Sequence, residues 1–74
     1  MNLLQIGKTI KRLRIERVKL SQEDFSSAAG IERTFLSKIE SGKQNITFGT
    51  LSAICDGLRM SLSEFFEECE KNKE

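Results

Sequence analysis

Leu20-Ser21-Gln22-Glu23-Asp24-Phe25-Ser26-Ser27-Ala28-Ala29-Gly30-Ile31-Glu32-Arg33-Thr34-Phe35-Leu36-Ser37-Lys38-Ile39-Glu40-Ser41-Gly42-Lys43-Gln44-Asn45-Ile46-Thr47 is the stretch around which the chain is organised. Ser21 is a good N-cap, and Asp24 follows it as a short-armed partner for a capping box, so a helix should begin at Gln22. Gly30 can adopt the positive φ needed to leave that helix, and apolar spacing resumes at Ile31, Phe35, Leu36 and Ile39, which predicts a second helix within about one turn. Two helices this close cross steeply. Ser26 and Ala29 are small enough for close approach, and Phe25, Ile31, Leu36 and Ile39 can share one core. The outer side of the second helix is then Arg33, Thr34, Ser37, Lys38 and Ser41, a single helical face that is polar and rich in hydrogen-bonding groups.

Such a face suits the base edges of a DNA major groove. A guanidinium at the start of a groove-seated helix can give guanine N7 and O6 two parallel hydrogen bonds, so Arg33 is the expected specificity residue. Thr34 and Ser37 can add a methyl contact or a hydroxyl bond, and Lys38 reaches a base or a phosphate. Ser21, Gln22 and the loop Lys43-Gln44-Asn45 are candidates for contacting the DNA backbone. Phe35 is expected to pack beside the motif, with a contact to thymine methyl groups or sugar as the lesser alternative.

These residues resemble the helix-turn-helix of the phage-repressor-like (XRE) family. Gln22 opens the first motif helix, Phe25 stands for the usual Leu, Ser26 for the usual Ala, Gly30 is the turn glycine, and Ile31, Leu36 and Ile39 are core positions. Within that family, the run from Arg33 to Thr47 is most similar to the controller proteins of restriction-modification systems. The resemblance implies an all-α, compact five-helix bundle of the lambda-repressor-like type. It also implies that Arg14 in the first helix pairs with Glu40 at the end of the recognition helix, and that the helix after Thr47 presents its N-terminus to a phosphate. Three departures stand out. One extra residue lies between Arg14 and Gln22, with Lys19 where a turn glycine is common. Glu32 replaces a Ser or Thr cap, and Ser41 and Gln44 replace basic residues that often touch the DNA backbone.

With 74 residues the chain is expected to be one domain with a thin core, near the size where a partner subunit often completes the stability. Its net charge of +1 conceals an asymmetry. Residues 1–20 carry Lys8, Lys11, Arg12, Arg14, Arg17 and Lys19 against Glu16 alone, a balance of +5. Residues 46–74 carry Arg59, Lys71 and Lys73 against Asp56, Glu64, Glu67, Glu68, Glu70 and Glu74, a balance of −3. That polarity suits a protein with one end on a polyanion. Cys55 and Cys69 have neither a histidine nor zinc-ligand spacing beside them, and a reduced, cytoplasmic protein is the simplest reading. No run approaches the length of a membrane span, and no signal-peptide core is present.

Leu3, Ile6, Ile10 and Leu13 predict an amphipathic helix over residues 3–17, with Lys8, Lys11 and Arg12 on its outer, solvated face. Gly7 marks either a close approach to a neighbouring helix or a simple exposed position. After the Ser41–Asn45 loop, Ile46 and Thr47 predict a helix from about Phe48 that turns Leu51, Ile54, Cys55 and Leu58 inward. Gly57 should mark close helix packing. Ser61 and Glu64 form a capping box for a last helix, and fraying is expected beyond Cys69. Phe65 and Phe66 cannot both face one core line. One should close the subunit, and the other, with Met60 and Leu62, should face a second subunit.

The expected protein is thus a homodimeric, sequence-specific DNA-binding regulator with its motif at about 21–40 and a dimerisation region at about 48–69. Its partner is a near-palindromic double-stranded operator, with half-sites about one helical turn apart. No cofactor, metal, small-molecule ligand or membrane is expected. Without histidine, paired acids or a glycine-rich phosphate loop, catalysis finds no support. The alternatives are a phage-type repressor or antitoxin of the same fold, or a helical protein-interaction module, for which the low net charge is the argument.

Overall fold

Asn2 starts the first helix. Its side chain accepts from the Gln5 amide at 2.9 Å while Gln5 Oε1 accepts from the Asn2 amide at 3.0 Å, closing a reciprocal cap. The computed structural model describes residues 1–71. In it α1 (Leu3–Leu13), α2 (Gln22–Ala29), α3 (Arg33–Glu40), α4 (Phe48–Leu58) and α5 (Leu62–Lys71) follow in chain order, with a π-helical turn over Arg14–Val18 continuing α1. There is no strand among the described residues.

The π turn corrects the expectation of one regular helix over residues 3–17. A π turn holds more residues per turn than an α turn, so it absorbs the additional residue before Gln22 within the helix itself. Lys19 ends it in the left-handed region (φ 58°) with its amide donating to Arg14 O, and the Leu20 amide reaches the same carbonyl at 3.2 Å. Val18 and Leu20 thereby return to the core edge.

Elsewhere the caps follow the local sequence. Ser21 Oγ accepts from the Asp24 amide at 3.0 Å, Thr47 Oγ1 from the Thr50 amide at 3.1 Å, and Ser61 and Glu64 cap each other reciprocally. Gly30 (φ 74°) ends α2, with the Ile31 amide reaching back to Ser26 O at 2.9 Å, and Gly42 (φ 76°) ends α3 in the same way through Lys43 and Lys38 O at 3.0 Å. The last helix extends through Lys71, past the point where fraying was expected; residues 72–74 lie outside the described residues.

All five helices contribute to one core: Ile10 and Leu13 from α1, Phe25 from α2, Leu36 and Ile39 from α3, Leu51, Ile54, Cys55 and Leu58 from α4, and Phe65 and Cys69 from α5. Each large apolar side chain removed from water contributes about 1.5–3 kcal/mol before conformational entropy is counted. Ile31 is only partly buried at the core edge. Of the two readings of Gly7, the close approach holds. It is buried, and a Cβ there would stand 2.8 Å from Glu40 O and nearer still to Ile39 O, so α1 lies directly on the C-terminal carbonyls of α3. A Cβ at Gly57 would meet the Phe25 ring at 3.0 Å, which sets the α2–α4 separation. Both cysteines are free and buried, and burial pushes the Cys55 thiol up to about 11 and raises that of Cys69. No described helix is long and apolar enough to cross a membrane.

Candidate nucleic-acid interface

The recognition helix is held by its inner end. Arg14, the first residue of the π turn, donates from Nε to Glu40 Oε2 at 2.7 Å and from Nη2 to Glu40 Oε1 at 3.1 Å, while its Nη1 donates to Leu20 O at 2.8 Å. Gln22 Nε2 completes the set by donating to Glu40 Oε1 at 2.9 Å. One buried ion pair therefore ties the end of α3 to the turn between α1 and α2, through Leu20 O, and to the start of α2, through Gln22. The paired fork geometry leaves no buried side-chain polar atom unsatisfied among the described residues.

With that end fixed, the outer face of α3 is free. Arg33, Thr34, Lys38 and Ser41 are exposed and Ser37 is half-buried, while Leu36, Ile39 and Glu40 point inward. Neither Arg33 nor Lys38 makes a side-chain hydrogen bond or ion pair among the described residues. Glu32 stands at the N-cap without a side-chain cap hydrogen bond, so the first amides of α3 carry no internal side-chain acceptor from it. Phe35 is partly buried against the core.

The candidates for backbone contact divide. Ser21, Lys43, Asn45 and Thr47 are exposed, with the Ser21 and Thr47 hydroxyls already accepting at the starts of α2 and α4. Gln44 and Gln22 are half-buried, and the Gln22 amide is committed in part to Glu40. At the opposite end, Phe65 is wholly buried within the chain and offers no surface to a second subunit. Phe65 is therefore not a dimer-interface residue but the member of the pair that closes the core, and Phe66, 38% exposed, is the outward one. Met60 and Leu62 are half-buried and pack against the core.

Sequence reasoning missed four features. Arg17 donates to the carbonyls of Leu58 and Arg59, each at 2.8 Å, closing the end of α4. Arg12 is not merely solvated, because it pairs with Glu68 of α5 at 2.9 Å. Gln22 also supports Glu40, and Phe48 is 72% exposed at the first position of α4. Only Phe48, placed directly after the Thr47 cap, carried a sequence signal.

A helix-turn-helix family profile matches residues 10–65. Control protein C.MunI of a Mycoplasma species is 41% identical over 68 residues, an alignment covering 92% of each chain. The chain belongs to the helix-turn-helix family of restriction-modification controller proteins. Among solved controllers, wild-type C.Esp1396I superposes with a TM-score of 0.86 at 34% identity, covering 95% of this chain and 91% of that one. The C.Esp1396I tetramer in complex with its natural 35-base-pair operator gives 0.87 at 34% identity, with 95% and 91% covered. The controller fold therefore extends over nearly the whole chain.

Proposed function

We propose that this protein is a sequence-specific DNA-binding transcriptional regulator, the controller of a restriction-modification operon, and not an enzyme. It binds a near-palindromic operator as a homodimer, inserting α3 of each subunit into successive major grooves. Arg33, Thr34, Ser37 and Lys38 read base edges, while Ser21, Gln22, Lys43, Gln44, Asn45 and Thr47 hold the sugar-phosphate backbone. Residues 48–69 form the dimerisation region, with Met60, Leu62 and Phe66 at its surface. The working location is the cytoplasm, on the nucleoid.

The observation that carries this reading is the unengaged outer face of α3, held in place from behind by Arg14 and Glu40. C.Esp1396I, whose fold this chain shares, has been captured on its own operator. The test is the affinity of the dimer for the DNA upstream of its own gene, measured over a range of salt. A regulator releases counterions from the phosphates it neutralises, so its affinity should fall steeply and linearly on logarithmic axes. A protein-interaction module would show no preference for the upstream DNA and almost no salt slope. The genes beside it separate a controller from a phage-type repressor or an antitoxin: a methyltransferase and an endonuclease identify the controller.

A further inference from the structure

Among the described residues, two that are not glycine have φ in the left-handed region, and both are cations: Lys19 (φ 58°) and Arg59 (φ 61°). Glycine would hold either turn without crowding between Cβ and carbonyl, so a side chain there is kept at a conformational cost. At Lys19 the turn is rigid. Its own amide and that of Leu20 donate to Arg14 O, and Arg14 Nη1 donates to Leu20 O at 2.8 Å. The π turn thus displays a lysine two residues ahead of Ser21, beside the N-terminus of α2.

Charge pairing isolates this lysine further. Of the six basic residues in the first twenty, Arg12 is held by Glu68, Arg14 by Glu40, and Arg17 by the carbonyls of Leu58 and Arg59. Lys8, Lys11 and Lys19 keep exposed ammonium groups with no ion pair among the described residues, and of these Lys19 alone adjoins the motif in sequence. The first turn of α2 holds two exposed acids, Glu23 and Asp24, which favour the helix dipole but repel a phosphate approaching Ser21 and Gln22. A cation at residue 19 offsets that repulsion. Arg59 differs in standing at the end of α4 beside Asp56, where with Arg17 it rims a groove whose wall also takes in Val18 and Leu20, the neighbours of Lys19.

We propose that Lys19 is a DNA-phosphate contact of this protein, held at the head of α2 by the π turn in a left-handed backbone conformation. The proposal rests on the DNA-binding reading above. The experiment measures binding of the dimer to its upstream DNA across a salt series for wild type, Lys19→Gly, Lys19→Arg and the control Lys11→Gln, with thermal unfolding of each. Lys19→Gly should bind roughly threefold to tenfold more weakly and flatten the salt slope by about 0.9 per subunit bound, while unfolding at a higher temperature because the left-handed turn is relaxed. Lys19→Arg should keep affinity and slope, and Lys11→Gln should leave both unchanged. Wild-type binding with an unaltered slope in Lys19→Gly would overturn the role of Lys19 alone, as would an equal loss in Lys11→Gln. Failure of the wild type to bind its upstream DNA would overturn the functional reading and this proposal together.

Discussion

Two arginines at the end of the first helix, Arg12 and Arg14, each pair with a glutamate from a distant helix at similar distance. Arg14 meets Glu40 at 2.7 Å and Arg12 meets Glu68 at 2.9 Å. The chemistry is the same, but the surroundings differ. The Arg14 and Glu40 side chains are 7% and 3% exposed, whereas those of Arg12 and Glu68 are 29% and 24% exposed. In water an ion pair contributes little because solvent screens it. In the interior, losing one partner strands the other as a buried charge. The inner pair therefore fixes geometry, joining the end of the recognition helix to the starting turn of α2. The outer pair mainly tethers α5.

The largest effect should come from Glu40→Ala, which leaves the Arg14 guanidinium buried without its carboxylate. A loss of about 3–5 kcal/mol is expected in denaturant unfolding, a large part of the stability of a chain this size. An undiminished midpoint would show that the seam is better solvated than its exposure indicates. Next comes Gly7→Ala, which attacks the same seam without touching a charge. The added methyl would press on the backbone carbonyls of Ile39 and Glu40, and backbone cannot rotate aside, so about 1–3 kcal/mol should be lost. Arg12→Ala should cost under about 1 kcal/mol in the same assay.

The outer pair makes a smaller prediction in acid. Hydrogen bonds from Arg12 and then Lys71 hold the Glu68 carboxyl below its ordinary 4.5. Its contribution is therefore fully present above pH 4.5 and is lost as pH falls through the lowered value. The stability gap between wild type and Arg12→Ala should narrow in that acid range, as followed by thermal unfolding across pH. A gap that stays constant would mean that Arg12 acts through packing of its stem instead.

Much of this contrast was legible in the residue order. Ser21, Gly30, Thr47 and the Ser61–Glu64 box mark helix ends because their chemistry is local, and the structure places a helix boundary at each. The outward face of α3 was readable for the same reason, since a 3.6-residue period separates Leu36 and Ile39 from Arg33, Thr34 and Ser37. The π turn was not. An additional residue between Arg14 and Gln22 is visible in the sequence, but whether it enlarges a loop or widens a helix depends on the Arg14 carbonyl and guanidinium together holding Lys19 and Leu20. Arg12 with Glu68 and Arg17 with the end of α4 were equally hidden, because both join elements more than forty residues apart. Phe65 and Phe66 were separable only in kind: one had to turn inward, and the packing of α5 decided which.

On the reading proposed above, the face of α3 freed by the inner seam reads base edges. That role is tested most directly by the ratio of affinities for the operator and for unrelated duplex DNA, at one fixed salt, in wild type and Arg33→Ala. Loss of a bidentate guanine contact is worth about 1–3 kcal/mol of discrimination, so the ratio should fall roughly fivefold to more than a hundredfold while binding to unrelated DNA changes little. An unchanged ratio in a folded Arg33→Ala dimer would contradict it.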